Sequence, residues 1–93
     1  MPPSLYDPRY QKLRSQLKAA RQQRGITQTA LAARLGVGQS FVSKMERGEA
    51  FIDVILFVDW CHSLSIDPAA VLGFLRHEPR EAGATSSSPN SGL

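Results

Sequence analysis

The chain has 93 residues, of which 42% are hydrophobic, and its formal net charge is +3. This length favours one small domain with little room for a large enclosed active site. No stretch reaches the roughly 20 apolar residues of a membrane-spanning helix, the N-terminus does not resemble a secretory signal, and a single cysteine, Cys61, excludes an internal disulfide. We therefore expect a cytoplasmic protein.

The first predicted elements are an arm and a helix. Residues 1–8 are rich in proline and are predicted to form a flexible N-terminal arm. From Arg9 to Arg24 the apolar residues recur at steps of three and four, which indicates one face of a helix. Gly25 is suited to end this helix in a left-handed conformation.

Two short helices with a glycine-containing turn between them follow. Thr27 is a suitable N-cap for a helix over residues 28–35. The segment Gly36-Val37-Gly38 predicts a tight connection to a third helix over residues 39–47. Two short helices joined in this way are typical of a helix-turn-helix unit.

The rest of the chain predicts two more helices and a tail. A fourth helix is expected over residues 53–64, and Asp67 is suited to cap a fifth that begins at Pro68. Residues 77–93 are rich in Ser, Pro, Gly and Ala and predict a disordered tail. No segment alternates as a strand does, so residues 9–76 predict one all-α domain of five helices.

Charge is unevenly distributed along this domain. Residues 9–47 contain nine Lys or Arg residues and one acidic residue, whereas residues 49–81 contain six acidic and two basic residues. The basic half would attract a polyanion such as DNA. Charge alone leaves a second interpretation open, in which the basic side chains only form a solvated helix face.

The segment Thr27–Gly48 resembles the Cro/repressor (XRE-type) helix-turn-helix family, and the resemblance covers about residues 10–75. The matching residues are Leu17, Arg21, Gly25, Thr27, Gln28, Leu31, Ala32, Gly36, Val37, Val42, Ser43, Glu46, Arg47 and Gly48. The resemblance implies a compact five-helix bundle like the lambda-repressor DNA-binding domain. It also implies a bacterial or phage transcriptional regulator, specifically a repressor, whose partner is double-stranded DNA.

The resemblance assigns the third helix to the DNA major groove. It implies that Gln39 binds a base, often adenine, through its amide. Phe41 has two open interpretations, contact with a thymine methyl group or cover of the helix-turn-helix core, and Lys44 could instead be an ordinary surface lysine. The expected base-reading residues are Gln39, Ser40, Phe41, Ser43 and Lys44. The expected phosphate contacts are Gln28, Arg24, Arg47 and the Gly48 amide.

The resemblance also implies an ion pair between Arg21 and Glu46. In the family these two positions form a partly buried pair that ties the first helix to the third. Arg21 is then a structural residue and not a DNA contact.

The fourth helix is more apolar than the resemblance leads us to expect. If Val54, Phe57, Val58, Cys61 and Leu64 face the core, other apolar side chains remain outside, namely Phe51, Ile52, Ile55, Leu56 and Trp60. A monomer rarely exposes such a patch, which predicts a homodimer with its reading helices ~34 Å apart on a palindromic operator. Alternatively, the fifth helix and the segment before the fourth could cover these residues.

A second function class stays open. An antitoxin or adaptor could use the apolar surface of the fourth helix and the tail to bind a protein partner. An enzyme is not expected, because we find no paired carboxylates in a cleft-forming context, no supported Ser/His/Asp set and no glycine-rich phosphate loop. Neither a cofactor nor a metal is expected, since Cys61, His62 and His77 lack metal-ligand spacing.

Overall fold

Five helices and no strand are found in residues 5–73 and 75, the part of the chain that the computed structural model describes. The helices are α1 (Pro8–Gln23), α2 (Gln28–Leu35), α3 (Gln39–Glu46), α4 (Val54–Ser63) and α5 (Pro68–Gly73). The all-α, five-helix fold class is confirmed. Residues 1–4 of the predicted arm and the predicted tail over 77–93 lie outside the described residues.

Local interactions explain where these helices begin. The Asp7 side chain accepts a hydrogen bond from the Arg9 amide at 2.8 Å, and Pro8 occupies the first helical position, where no amide hydrogen is needed. Thr27 Oγ1 accepts from the Ala30 amide at 3.0 Å at the start of α2. The same kind of cap precedes α4, where Asp53 Oδ1 accepts from the Leu56 amide at 2.8 Å.

The turn between α2 and α3 depends on a left-handed glycine. Gly36 ends α2 with φ of 72°, a conformation that costs other residues free energy. The Val37 amide then donates to the Ala32 carbonyl oxygen at 3.0 Å, which closes the end of α2. The chain is thereby redirected into α3, as the sequence predicts.

A single apolar core lies between the helices. Its fully buried members are Leu17, Leu31, Ala32, Val42, Met45, Phe57, Trp60, Cys61 and Leu64. α1 contributes Leu17, α4 contributes Phe57 and Cys61, and Leu64 directly follows α4, as the periodicity of these segments predicts. Within the described part of the chain, no helix is long and apolar enough to cross a membrane.

Two expectations for α4 are wrong. Trp60 is 0% exposed and lies in the core, so it is not a surface residue available to a second copy. Val54, expected in the core, is 74% exposed in the first turn of the helix. The reason is that Phe57, Trp60, Cys61 and Leu64 form one i, i+3, i+4, i+7 stripe, and the helix turns this stripe with its large indole inward.

Candidate nucleic-acid interface

α3 is anchored by one face and exposed on the other. Val42 and Met45 are both 0% exposed, which holds the helix against the core. The N-cap residue of α3 is Gly38, which makes no side-chain capping hydrogen bond. No cap side chain therefore covers the first turn of the helix. The predicted reading residues on the outer face are exposed, namely Gln39, Ser40, Phe41 and Lys44, while Ser43 is half-buried. Phe41 is 40% exposed, a partial exposure compatible with both of its interpretations.

A buried ion pair ties α3 to α1, as the resemblance implies. Arg21 donates to Glu46 through two bonds, Nε to Oε2 at 2.6 Å and Nη2 to Oε1 at 2.9 Å. Its remaining terminal nitrogen, Nη1, donates to the Ile26 carbonyl oxygen at 2.7 Å. The two residues are 8% and 2% exposed. Loss of one partner from such a pair costs about 3–5 kcal/mol, because the other charge stays buried.

A hydrogen-bond chain leads from this ion pair to the outer face of α3. Gln28 Nε2 donates to Glu46 Oε1 at 2.9 Å, and Gln39 Nε2 donates to Gln28 Oε1 at 2.7 Å. The structure therefore brings together Gln28 and Gln39, which the sequence assigned separately to phosphate and base. Sequence reasoning missed their contact; the available signal was that each is the first residue of one of the two helices of the helix-turn-helix unit.

A second set of interacting polar side chains lies at the C-terminal end of α3. Arg47 pairs with Glu49 through Nε and Oε2 at 2.9 Å, and it also donates to Ser43 Oγ. The hydrogen bond from Arg47 lowers the pKa of Glu49, and the same bond raises the pKa of Arg47. Glu49 was not among the predicted site residues, although it directly follows the segment that carries the resemblance.

The predicted phosphate contact of the Gly48 amide is wrong. This amide donates to the Met45 carbonyl oxygen at 3.0 Å, and Gly48 is buried. An amide already committed inside the protein is not free for a phosphate. Arg24, in contrast, is exposed at the end of α1 and stays a predicted phosphate contact.

Two other basic side chains have structural partners. Arg14 Nη1 donates to the Glu46 carbonyl oxygen at 2.7 Å, and Arg34 Nη1 donates to the Ser63 carbonyl oxygen at 2.8 Å. The first bond satisfies a carbonyl at the end of α3, where no later helical amide is available. These two arginine side chains therefore connect helices through hydrogen bonds to backbone carbonyl groups.

Comparisons with known proteins agree with this geometry. Residues 17–69 match the model of the Helix-turn-helix family HTH_3, which is more than half of the chain. The chain belongs to the helix-turn-helix family. As a member of XRE type, it is a DNA-binding transcriptional regulator and not an enzyme.

Solved structures of similar proteins include an XRE-family like protein from Pseudomonas syringae pv. tomato str. DC3000. It is 52% identical, with a TM-score of 0.70 and coverage of 74% of this chain and 84% of that chain. The clp gene regulator ClgR from Corynebacterium glutamicum is 29% identical, with a TM-score of 0.67 and coverage of 81% and 76%. The restriction-modification controller protein C.AhdI from Aeromonas hydrophila is 27% identical, with a TM-score of 0.61 and coverage of 64% and 91%. We found no significant match among curated proteins.

This helix-turn-helix protein also exposes an apolar surface, which we call the helix-4 patch and define as Phe51, Val54 and Ile55. These side chains are 46%, 74% and 71% exposed. Val54 and Ile55 line a shallow depression of about 600 Å³ together with Asp53, Leu56 and Asp59. Of the other predicted interface residues, Ile52 and Leu56 are half-buried against the core and Trp60 is fully buried.

The core holds the only cysteine of the chain in an unreactive setting. Burial raises the pKa of the Cys61 thiol to about 11, so the thiolate is scarcely populated at neutral pH. In residues 5–73 and 75 no group of three or more His, Cys, Asp or Glu side chains could hold a metal ion.

Proposed function

We propose that this helix-turn-helix protein is a transcriptional repressor that binds a palindromic operator as a homodimer. In this proposal α3 of each copy lies in the DNA major groove. The observation that carries the proposal is the exposed face of α3, which presents Gln39, Ser40 and Lys44 from a helix locked to the core by Val42 and Met45. A rigidly held helix with outward donors and acceptors is suited to read base edges.

The proposed contacts divide into two classes. Gln39, Ser40, Phe41 and Lys44 face bases, and Ser43 contributes more weakly because it is half-buried and bonded to Arg47. The phosphate contacts are Gln28, Arg24 and Arg47, with Glu49 holding the Arg47 guanidinium. Base contacts determine sequence preference, whereas phosphate contacts fix position and affinity.

The homodimer is proposed from the helix-4 patch. Val54 and Ile55 are aliphatic and more than two-thirds exposed, and Phe51 adds a half-exposed ring beside them. Burial of apolar surface of this kind stabilises association by roughly 25 cal/mol for each Å² removed from water. A two-fold dimer would present two reading helices and match a palindromic operator. Because the proposed ligand is chromosomal or phage DNA, the proposed site of action is the cytoplasm.

Selection of bound sequences from random duplex DNA at fixed salt tests the proposal. We expect the wild-type protein to select a palindromic motif and the Gln39→Ala/Lys44→Ala double variant to lose it. The matched control is Gln22→Ala/Lys18→Ala, which removes the same two residue types from α1 and should retain the motif. Weak, salt-sensitive binding without a motif, equal in all three proteins, would refute operator reading by α3.

The repressor assignment needs a separate measurement. We expect a promoter that contains the selected motif to drive less reporter expression when the wild-type protein is present. The Gln39→Ala/Lys44→Ala variant should restore expression. Increased expression with the wild-type protein would make the protein an activator at that promoter.

A further inference from the structure

The hydrogen-bond chain from the ion pair to Gln39 has a fixed direction. A carboxylate accepts hydrogen bonds and donates none. Both oxygens of Glu46 face N–H groups of Arg21, with donor–acceptor distances of 2.6 and 2.9 Å. Glu46 Oε1 therefore accepts from whichever atom Gln28 presents to it, and only the Gln28 nitrogen can donate.

This acceptor determines the orientation of the Gln28 amide. Gln28 Nε2 lies 2.9 Å from Glu46 Oε1, so Gln28 Oε1 is directed to the other side, where it meets Gln39. An amide oxygen only accepts, so Gln39 must present its nitrogen, and Gln39 Nε2 lies 2.7 Å from Gln28 Oε1. The orientation of the Gln28 amide therefore determines the orientation of the Gln39 amide.

This orientation determines which hydrogen-bonding groups of Gln39 remain available to a base. One of the two Nε2 hydrogens is used by Gln28, so one N–H donor and the Oε1 acceptor remain. Adenine presents one acceptor (N7) and one donor (N6) in the major groove, which matches this pair. Guanine presents two acceptors (N7 and O6), which would require both N–H groups of Gln39.

We propose that Glu46, acting through Gln28, sets the polarity of the Gln39 amide and so makes it select adenine over guanine. Glu46 is then a positioning residue for base reading as well as one half of the structural ion pair. This inference rests on the proposed reading of DNA by α3. The expected discrimination is roughly 5- to 150-fold, the range for one bidentate base contact.

The test measures the affinity of full-length protein for duplexes that carry the selected motif. They differ only at the base pair whose preference disappears in Gln39→Ala. Fluorescence anisotropy at fixed salt gives the ratio of affinities for adenine and guanine at that position. A purely structural role of Glu46 and Gln28 would change affinity for both duplexes equally and leave this ratio unchanged.

Two variants should change the orientation of the Gln39 amide. Glu46→Gln lets the group facing Gln28 donate as well as accept, and we expect the adenine-to-guanine ratio to fall at least fivefold. Gln28→Lys leaves the Arg21–Glu46 pair in place and offers only donors to Gln39. Gln39 should then turn its oxygen inward and both N–H groups outward, so that guanine is preferred.

Control variants separate this effect from charge and stability. Gln22→Lys adds the same charge at an exposed position of α1 and should leave the ratio at its wild-type value. Circular dichroism confirms folding, and if Glu46→Gln does not fold, Gln28→Lys and Gln28→Ala decide the question. Gln28→Ala should lower the ratio without reversing it.

The failures of the inference and of the proposed function can be told apart. A ratio that stays at its wild-type value in the folded Glu46 and Gln28 variants, with affinity lowered equally for all duplexes, would overturn the inference and leave operator reading intact. A wild-type protein that selects no motif would refute the proposed function, and the inference with it. A position read by Gln39 that prefers guanine in the wild type would also overturn the inference.

Discussion

Gly48 lies at a crowded point between α1 and the end of α3. Its φ is 78°, and a Cβ atom at this position would stand 2.6 Å from Arg14 Nε. The Arg14 guanidinium occupies this space while it donates to the Glu46 carbonyl oxygen at 2.7 Å. Gly36 has a similar φ of 72°, but a Cβ atom there would meet no other atom within 4 Å, so only its conformation demands glycine.

These two glycines give a matched pair of substitutions. We expect Gly36→Ala to lower the free energy of unfolding by about 1–2 kcal/mol, the cost of a left-handed residue with a side chain. Gly48→Ala carries the same cost and also displaces Arg14, which removes about 1.5–3 kcal/mol more if the charged hydrogen bond is lost. Urea unfolding monitored by circular dichroism measures both. Equal losses would show that Arg14 adjusts without losing its bond.

At the scale of helices, the start of α1 depends on one carboxylate. Asp7 accepts from the Arg9 amide at 2.8 Å and from Arg9 Nη2 at 2.7 Å. The side-chain hydrogen bond from Arg9, followed by the backbone bond, lowers the pKa of Asp7 from 3.8 to about 2. A lowered pKa means that the ionised cap stabilises the folded chain fully above pH 3.8 and that this stabilisation is lost as the pH falls through about 2.

The Arg9→Met variant tests this cause. We expect the pKa of Asp7 to rise toward 3.8 without reaching it, because the backbone amide still donates to the carboxylate. Titration of the Asp7 carboxyl carbon by NMR measures the change. Arg47→Met, which removes the arginine of the Glu49 pair, should leave the Asp7 pKa at its wild-type value. An unchanged pKa in Arg9→Met would assign the shift to the backbone amide alone.

At the scale of the whole molecule, the helix-4 patch is an exposed apolar surface within the described residues. α4 follows α3 after a short segment that α1 holds in place. Tyr10 Oη donates to the Ala50 carbonyl oxygen at 2.7 Å and accepts from the Ile52 amide at 3.1 Å. The Tyr10 ring also lies 4.9 Å from the Phe51 ring. These contacts restrain the Phe51 end of the patch relative to α1.

A charge within the patch should prevent the proposed dimer. We expect Ile55→Glu to sediment as a monomer at concentrations where the wild-type protein is a dimer, because a carboxylate would be desolvated in the interface. Binding to the palindromic operator should weaken much more than binding to a single half-site. Ala19→Glu, at an exposed position of α1, is the control and should stay dimeric. A wild-type monomer at high micromolar concentration would refute the proposed dimer.

The order, type and approximate limits of the helices could all be predicted from the amino-acid sequence. Caps such as Thr27 and left-handed glycines such as Gly36 act within a few residues, so their effect can be read from neighbouring positions. The resemblance indicated the Arg21–Glu46 pair, because both residues belong to the family pattern. These features depend on local chemistry or on a pattern shared by relatives.

The buried side of α4 and the contacts among the proposed DNA-binding residues became visible only in the packed structure. α4 is apolar around much of its circumference, so periodicity allowed Val54 to be placed inside and Trp60 outside, whereas packing against the other helices selected the reverse. The contact of Gln39 with Gln28 and the inward Gly48 amide likewise depend on how α1, α2 and α3 pack. Helix rotation and side-chain contacts between elements minimise the free energy of the whole core, and no single segment contains that information.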